Sequence, residues 1–188
     1  MNALARWMLG GLFLGGIIHI LTILLLPTYV PVTPADRVAA AEPAGRFTLL
    51  GPDSGPMLAG LDPSFVHAVC PLTGGTQRLT GRMPGTLWTF AIVDGAGAVS
   101  QSFTDASALN NGIDVLVAPR DTLEAIRFAA PPDYETTLLL DQPPSGGFVL
   151  LRAYAPSPAD AAEIGAVLET ISCAPFEVVL PDATATQP

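Results

Sequence analysis

Hydrophobic residues form one uninterrupted run near the start of the chain. Residues 7–26 contain no Asp, Glu, Lys or Arg. At a rise of about 1.5 Å per residue, a helix of this length spans about 30 Å, the thickness of a bilayer's hydrocarbon core. The run predicts an uncleaved transmembrane helix over 7–26. A cleaved signal peptide is the alternative, but such peptides have shorter apolar runs and a nearby cleavage site, whereas the nearest Ala-rich site here is 39–41.

Downstream of this run, the pattern predicts short β-strands. The segments are rich in β-branched and aromatic residues and end at Gly-, Pro- or Asn-containing turns, which is typical of a sandwich or jelly roll rather than a parallel α/β sheet. The predicted strands are 47–50, 64–70, 76–80, 86–93, 98–103, 113–117, 136–140, 148–154 and 176–180.

Two short helices are predicted among the strands. The spacing of Asp121 and Glu124 resembles a capping box that opens a helix ending at Phe128. The second helix begins with better signals, because Ser157 can cap it and Pro158 suits the first helical position. Four apolar residues on one face of this helix are predicted to pack against the sheet: Ile164, Val167, Leu168 and Ile171.

These elements predict the organisation of the chain. We expect a mainly β protein with a single N-terminal transmembrane helix, followed by a small β-sandwich or jelly-roll-like domain with one or two short helices. The expected segments are a cytoplasmic N-terminus (1–6), the transmembrane helix (7–26), an extended linker rich in Pro and Ala (27–46), a periplasmic β domain (47–180) and a disordered tail (181–188). The weak bias of charged residues around the helix favours a cytoplasmic N-terminus. We expect the chain to lie in a bacterial inner membrane as a single-pass protein, with its C-terminal domain in the periplasm.

The net charge narrows the possible partners. The chain has eight Arg, no Lys and seventeen acidic residues, which gives a net charge of −9. An acidic chain without a basic cluster repels phosphate backbones, so nucleic-acid binding is excluded. The partners expected from the sequence are the lipid bilayer, through residues 7–26, and an integral membrane protein.

Cys70 and Cys173 are the two cysteines of the chain. In an oxidising compartment, such a pair predicts one structural disulfide. Two separate buried thiols are the alternative, and a metal or redox pair is a third interpretation. A copper or zinc site formed by His67 with both cysteines is conceivable, but His67 and Cys70 would lie on opposite faces of a flat strand. No metal or cofactor is predicted.

Small and polar residues share one face of the predicted transmembrane helix. Gly11 and Gly15 form a Gly-x-x-x-Gly pair, which permits the close approach of a second helix. His19 and Thr22 continue this stripe, and an ionisable residue within a membrane often faces a partner. The alternative is a neutral histidine that is tolerated in a simple anchor, with glycines that reflect composition alone.

Common catalytic templates are missing from the sequence. It contains no Gly-x-Ser-x-Gly, His-Glu-x-x-His or phosphate-binding glycine loop. Asp53, Asp133 and Glu135 could supply paired carboxylates for glycoside chemistry, although chance proximity among seventeen acidic residues explains them as well. Trp88 and Phe90 share one strand face and are predicted to be core rather than a sugar-stacking surface. We therefore predict no catalytic residues.

Three segments resemble a bacterial family called domain of unknown function 1254. They are 19–27, which is similar to the family's membrane anchor, and 61–70 and 82–94, where the family has a Pro-rich turn before an aromatic strand. The resemblance implies a β-sandwich or jelly-roll module of the alphaproteobacterial cell envelope, which longer relatives join to a domain of unknown function 1214. Those relatives carry an Asn-x-Asp-Thr motif where this chain has residues 61–64, Leu-Asp-Pro-Ser, so no site is transferred from them.

The sequence thus leads to three functional hypotheses. The favoured one is a membrane-anchored periplasmic accessory or binding protein, a non-catalytic subunit of an envelope or inner-membrane complex. The alternative is a periplasmic jelly-roll enzyme or ligand-binding module that acts on a glycan or small molecule, which requires a concave pocket near Trp88, Asp94 or Asp105. The third is a metal or thiol carrier that uses Cys70 and Cys173.

Overall fold

The structure is a computed structural model that describes residues 3–29, 32–41, 45–51, 58, 60–108 and 111–179. The chain divides into two units, Met1–Thr33 and Pro34–Pro188. The predicted tail, 181–188, lies outside the described residues, as does Leu180 at the end of the predicted last strand.

The first unit contains helix α1, Ala3–Tyr29. Its apolar stretch Ala3–Leu26 has a mean hydropathy of 2.3, and its residues are exposed. The helix is long and apolar enough to cross a membrane, and a signal sequence would have the same character. The structure confirms the predicted apolar helix, with ends a few residues beyond 7–26.

The second unit is built on β-strands. They are β1 (Gly45–Arg46), β2 (Thr48–Leu50), β3 (Phe65–Leu72), β4 (Gln77–Arg82), β5 (Trp88–Asp94), β6 (Val99–Thr104), β7 (Gly112–Ala118), β8 (Leu138–Asp141), β9 (Gly147–Tyr154) and β10 (Ser172–Pro175). One five-stranded sheet has the order β1-β10-β4-β7-β8, and the other has the order β2-β3-β9-β5-β6. The pairings are antiparallel except for β7 with β8. Every predicted strand from 47–50 to 148–154 overlaps an observed one.

The two sheets share one hydrophobic core. Alternate residues of a strand point to opposite faces, so each sheet directs every second side chain inward. One buried cluster contains inward residues of both sheets. They include Cys70, Phe90, Ile92, Val149 and Leu151 from the β2–β6 sheet, and Leu79, Val115, Val117 and Cys173 from the β1–β8 sheet. The structure therefore confirms a mainly β domain made of two packed sheets.

The predicted extended linker, 27–46, is wrong over part of its length. Helix α2, Pro34–Ala41, lies within it, and Gly45 and Arg46 form β1. Val38 of α2 is fully buried in a cluster with Val69, Val93 and Phe148. These three residues belong to the β2–β6 sheet but not to the shared core, so α2 covers the other face of that sheet. A single buried apolar residue gave no periodic pattern from which to predict a helix.

Two further helices, α3 (Arg120–Ala129) and α4 (Pro158–Glu169), match the predicted positions. The predicted cap of α4 is confirmed, since the Ser157 side chain accepts a hydrogen bond from the Asp160 backbone N–H. The predicted capping box of α3 is wrong: Pro119 occupies the N-cap position, and the Asp121 carboxylate accepts from the neighbouring Thr122 N–H instead. With α2, the second unit has three α-helices rather than one or two among its described residues.

The last predicted strand, 176–180, is also misplaced. Residues 176–179 are not in a strand, and β10 lies earlier, at Ser172–Pro175. The alternation of β10 places Cys173 in the shared core, whereas Phe176 packs with a separate cluster that contains Leu116 and Tyr134. The apolar residues of 176–180 predicted a strand, but the segment that pairs with β4 is β10, which carries the buried Cys173.

Candidate functional site

The candidate site residues of α1 lie on one face of the helix. At about 100° per residue, the Gly11, Gly15, His19 and Thr22 side-chain directions fall within an arc of about 80°; we call these four residues the glycine–histidine face. Each of them is exposed in the described chain. The Thr22 hydroxyl donates to the Ile18 carbonyl at 2.8 Å, so the helix's own backbone satisfies this donor.

The glycine–histidine face is sterically open. A Cβ atom added at Gly11 or Gly15 would meet nothing within 4 Å. The same is true of Gly10 and Gly16, which point to other sides of the helix. A second helix could therefore approach the backbone of α1 closely along the line from Gly11 to Gly15, and His19 would lie on the same contact.

Cys70 and Cys173 form a disulfide, with an S–S distance of 1.99 Å. Cys70 lies in β3 and Cys173 in β10, so the bond joins the two sheets, and both residues are fully buried. The predicted disulfide is confirmed, and the interpretation as two separate thiols is wrong. Because the bond consumes both thiolates, it also removes the ligands on which a metal or thiol carrier would depend. No group of three His, Cys, Asp or Glu side chains in the described ranges is placed to hold a metal ion.

His67 is a buried histidine on the side of β3 opposite to Cys70. It is 4% exposed and lies across from Leu50 of β2 and Arg152 of β9. Burial lowers the pKa of His67, and the positive charge of Arg152 lowers it further, against the opposing influence of the Phe65 backbone and Asp62. The imidazole is thus held neutral, which fits a packed structural residue.

Two aromatic rings and one guanidinium lie near His67 on the outer face of the β2–β6 sheet. The Phe65 and Tyr154 rings meet edge-on at a centroid distance of 5.7 Å. The Arg152 guanidinium lies 5.7 Å from the centre of the Phe65 ring and donates to the Thr89 hydroxyl at 3.1 Å. Tyr154 is 40% exposed. This group resembles the aromatic and arginine anchors of protein interfaces in composition.

The structure describes two of the three candidate carboxylates. Asp53 lies outside the described residues. Asp133 and Glu135 are exposed on either side of Tyr134, which is buried at the end of a 3₁₀ turn. The Asp94 carboxylate accepts from the Ala96 and Ala98 N–H groups at 2.9 and 2.8 Å, so it closes the β5–β6 turn.

Trp88 and Phe90 are fully buried, which confirms them as core residues. Phe103 stacks on Phe90 at a centroid distance of 4.5 Å and meets Trp88 edge-on at 6.1 Å. Neither Trp88 nor Phe90 can serve as an exposed sugar-stacking surface. The Trp88 Nε1 atom has no hydrogen-bond partner among the described residues.

Several clefts open on the surface of the second unit. One of about 510 Å³ lies beside the start of α3 and includes Arg120, Asp141 and Gln142. The Asp141 Oδ1 atom is buried and has no hydrogen-bond partner in the described part of the chain. A cleft of about 330 Å³ includes Ser107, close to the predicted position Asp105.

One polar cluster was not predicted from the sequence. Arg78 of β4 donates to both carboxylate oxygens of Asp114 of β7, at 2.9 and 2.7 Å. Thr137 donates to the same carboxylate at 2.9 Å, and Phe176 packs under the guanidinium at 5.2 Å. The Arg78 hydrogen bonds lower the pKa of Asp114. Arg78 and Asp114 are 36 residues apart in the sequence. Their ion pair could be predicted only once β4 and β7 were known to be neighbouring strands.

Comparisons with known proteins show a resemblance of fold and no family. No family model matches the chain, and no curated protein sequence matches it. The structure of the VPA0106 protein from Vibrio parahaemolyticus is similar with a TM-score of 0.51 and 13% identity, over 79% of this chain and 37% of that chain. An uncharacterised protein from Burkholderia cenocepacia gives a TM-score of 0.45 and 16% identity, over 81% of this chain and 39% of that chain.

The chain thus spans less than two fifths of the length of either of these proteins. At 13% identity, the likeness to VPA0106 concerns the fold alone. The resemblance to domain of unknown function 1254 stays a prediction.

Proposed function

We propose that this protein is a membrane-anchored accessory or binding subunit, in which α1 associates with a transmembrane helix of a partner protein. The observation that carries the proposal is the glycine–histidine face. A helix that served only as an anchor would need no polar or small residues on any one side, yet Gly11, Gly15, His19 and Thr22 share one arc. In a bilayer, small residues allow close packing, and a histidine gains from a partner that can accept its hydrogen bond.

The second unit supports a role without catalysis. Its buried histidine is held neutral by packing, its cysteines are joined in the core, and Asp94 closes a turn. These are structural uses of the residue types from which enzyme sites are built. We propose a periplasmic location for this unit, because a disulfide persists in an oxidising compartment and because the charges around α1 favour a cytoplasmic N-terminus. The resemblance to domain of unknown function 1254 is consistent with this location.

The experiment is a comparison of two double variants in native membranes. Gly11→Ile with Gly15→Ile blocks the glycine–histidine face, whereas Gly10→Ile with Gly16→Ile adds the same volume on other sides of α1. After gentle solubilisation and capture through a C-terminal tag, we expect a stoichiometric membrane protein with the wild type and the control variant but not with the Gly11/Gly15 variant. A wild-type chain that is captured alone, or a partner retained equally by both variants, would contradict the proposal.

A second candidate function is a jelly-roll-like module that binds a small molecule. The observation that favours it is the cleft of about 510 Å³ beside α3, where the buried Asp141 Oδ1 has no hydrogen-bond donor among the described residues and Arg120 supplies a positive charge. A compound with both donor and acceptor groups, such as a glycan or a zwitterion, would suit these walls. Thermal-shift screening of the purified chain against such compounds tests it, with Arg120→Ala and Asp141→Asn expected to abolish any shift found.

A further inference from the structure

The two sheets end in edge strands of unequal length. The edges of one sheet are β1, with two residues including Arg46, and β8, with four residues ending in Asp141. The edges of the other are β2, with three residues, and β6, with six. An edge strand presents unpaired backbone N–H and C=O groups, and proteins restrain such edges with short strands, charges, proline or bulges. Among the described edges, β6 is therefore the longest template for another strand.

The sequence of β6 offers little protection against strand addition. Residues 99–104, Val-Ser-Gln-Ser-Phe-Thr, contain no charge and no proline in a chain that has 25 charged residues, 8 basic and 17 acidic, and 19 prolines. Ser100, Ser102 and Thr104 are exposed, while Phe103 stacks on the core residue Phe90. One bulge interrupts the pairing with β5, at the turn end between Ile92 and Val93. The stretch after it, to Thr104, pairs regularly with β5, and no strand of the described residues pairs with its other side.

We propose that β6 pairs antiparallel with β6 of a second copy of this chain, which joins the two β2–β6 sheets across a two-fold axis near Ser102. This two-fold axis is perpendicular to the joined sheet, so the outer faces of the two β2–β6 sheets lie on the same side. It places Ser102 opposite Ser102 of the second copy, and Ser100 opposite Thr104. Small hydroxyl side chains then face each other, and Asp105 faces Val99 rather than another acid.

The charge of the chain favours a copy of the same strand as the occupant. With a net charge of −9, two copies repel each other over most of their surface. The uncharged β6 edge is a place where they can approach without bringing carboxylates together. A two-fold interface uses the same surface on both copies. When β6 pairs with β6, the backbone N–H and C=O groups of the edge find hydrogen-bond partners on both copies.

A strand pair of this length buries less area than a stable soluble dimer needs. The pairing therefore depends on a high local concentration, which confinement of both copies to one membrane supplies. This step rests on the proposed membrane anchoring of α1, but it does not require the proposed partner helix. The test accordingly uses the full chain in membranes. It measures contacts between two copies of the chain, and it does so whether or not a partner protein is bound to α1.

The experiment introduces one cysteine at the axis. Ser102→Cys is compared with Thr73→Cys, which lies in the exposed β3–β4 turn, and both are treated with a short bis-maleimide in membranes. The native cysteines do not react, because they are bonded and fully buried. We expect a cross-linked dimer of the chain with Ser102→Cys and none with Thr73→Cys. Absence of the dimer, or a cross-link from position 102 to a different protein, would overturn the proposal.

A second measurement separates pairing from folding. Ser102→Lys places two like charges at the axis, and Thr73→Lys adds the same charge elsewhere. We expect energy transfer between labelled copies in vesicles to fall several-fold for Ser102→Lys alone, while both variants keep the wild-type melting temperature in detergent. Unchanged energy transfer in a folded Ser102→Lys variant would also overturn the proposal.

Discussion

Cys70 and Cys173 join the two sheets through one buried disulfide, across 103 residues of sequence. The bond lies inside the shared core, where α4 ends and β10 begins. It therefore ties the carboxyl-terminal part of the described chain to β3.

Removal of this bond should lower the stability of the protein substantially. In the chain-entropy account, cross-linking a loop of this length contributes about 4–5 kcal/mol. We expect the Cys70→Ala/Cys173→Ala variant to show a reduced free energy of unfolding of this order in urea titrations under non-reducing conditions. Wild-type protein should resist mild reductants in the folded state, since both sulfur atoms are inaccessible. Equal stability of variant and wild type would show that the sheets do not depend on the cross-link.

Alanine substitutions at Gly147 and Gly146 test how closely the start of β9 packs against β5. Both have positive φ, at 153° and 72°. A Cβ at Gly147 would collide with the Val93 carbonyl oxygen, whereas a Cβ at Gly146 would meet nothing within 4 Å. We expect Gly147→Ala to destabilise the protein by about 3 kcal/mol or more, because the backbone of β5 must shift. Gly146→Ala should cost only about 1 kcal/mol of backbone strain. Thermal unfolding of both variants measures the difference, and similar losses would contradict the close packing of β9 on β5.

The ion pair of Arg78 and Asp114 should make stability depend on pH in acid. The Arg78 hydrogen bonds hold the pKa of Asp114 below its ordinary value of 3.8. A carboxyl group with a lowered folded-state pKa stabilises the protein above its unfolded pKa, and this contribution disappears as pH falls through the folded value. We expect Asp114→Asn to lower the free energy of unfolding by about 1–3 kcal/mol at neutral pH. In urea titrations at a series of pH values, this difference from the wild type should become progressively smaller below pH 3.8.

The exposed substitution Asp121→Asn is the control for this series. Asp121 is exposed and accepts a hydrogen bond from the adjacent Thr122 backbone N–H, so Asp121→Asn removes one acidic residue without breaking the pair of Arg78 and Asp114. A profile of Asp114→Asn that runs parallel to wild type at every pH would contradict the assignment.

His67 should destabilise the fold as the solution becomes mildly acidic. Burial lowers its pKa from the ordinary 6.5, so the unfolded chain binds a proton more readily than the folded one. His67 therefore does not reduce the free energy of unfolding above pH 6.5. As pH falls from 6.5 toward the folded-state pKa of His67, the free energy of unfolding decreases. Urea titrations between neutral pH and about pH 5 should show this decrease for the wild type and not for His67→Gln. A decrease of equal slope in both would assign it to other groups.

Local sequence signals account for most of the elements. The strands from 47–50 to 148–154 and the Ser157 cap of α4 follow from short-range chemistry: β-branched runs, turn residues and a side chain that reaches its own helix. The failures have long-range causes. The single inward residue Val38 stabilises α2 only because the face of Val69, Val93 and Phe148 is there to receive it. The final strand lies at Ser172–Pro175 rather than at 176–180, and it carries Cys173, whose bond to Cys70 of β3 spans 103 residues of sequence.

The candidate site divides in the same way. The glycine–histidine face could be drawn from the sequence, since the helical period alone brings Gly11, Gly15 and His19 together. The cluster of Arg78, Asp114 and Thr137 could not, because it depends on the register between β4 and β7 and on the segment that follows α3.

The sequence by itself determined the apolar helix, the acidic charge, the positions of the strands and the presence of two pairable cysteines. Each of these properties is set by composition or by residues close together in the chain. The tertiary structure decided the order of strands in each sheet, the covering of one face by α2, the burial of His67 that lowers its pKa, and the position of β6 at the edge of its sheet. Those depend on which distant segments meet, and a free energy of packing that is shared among many contacts leaves no local signal of that choice.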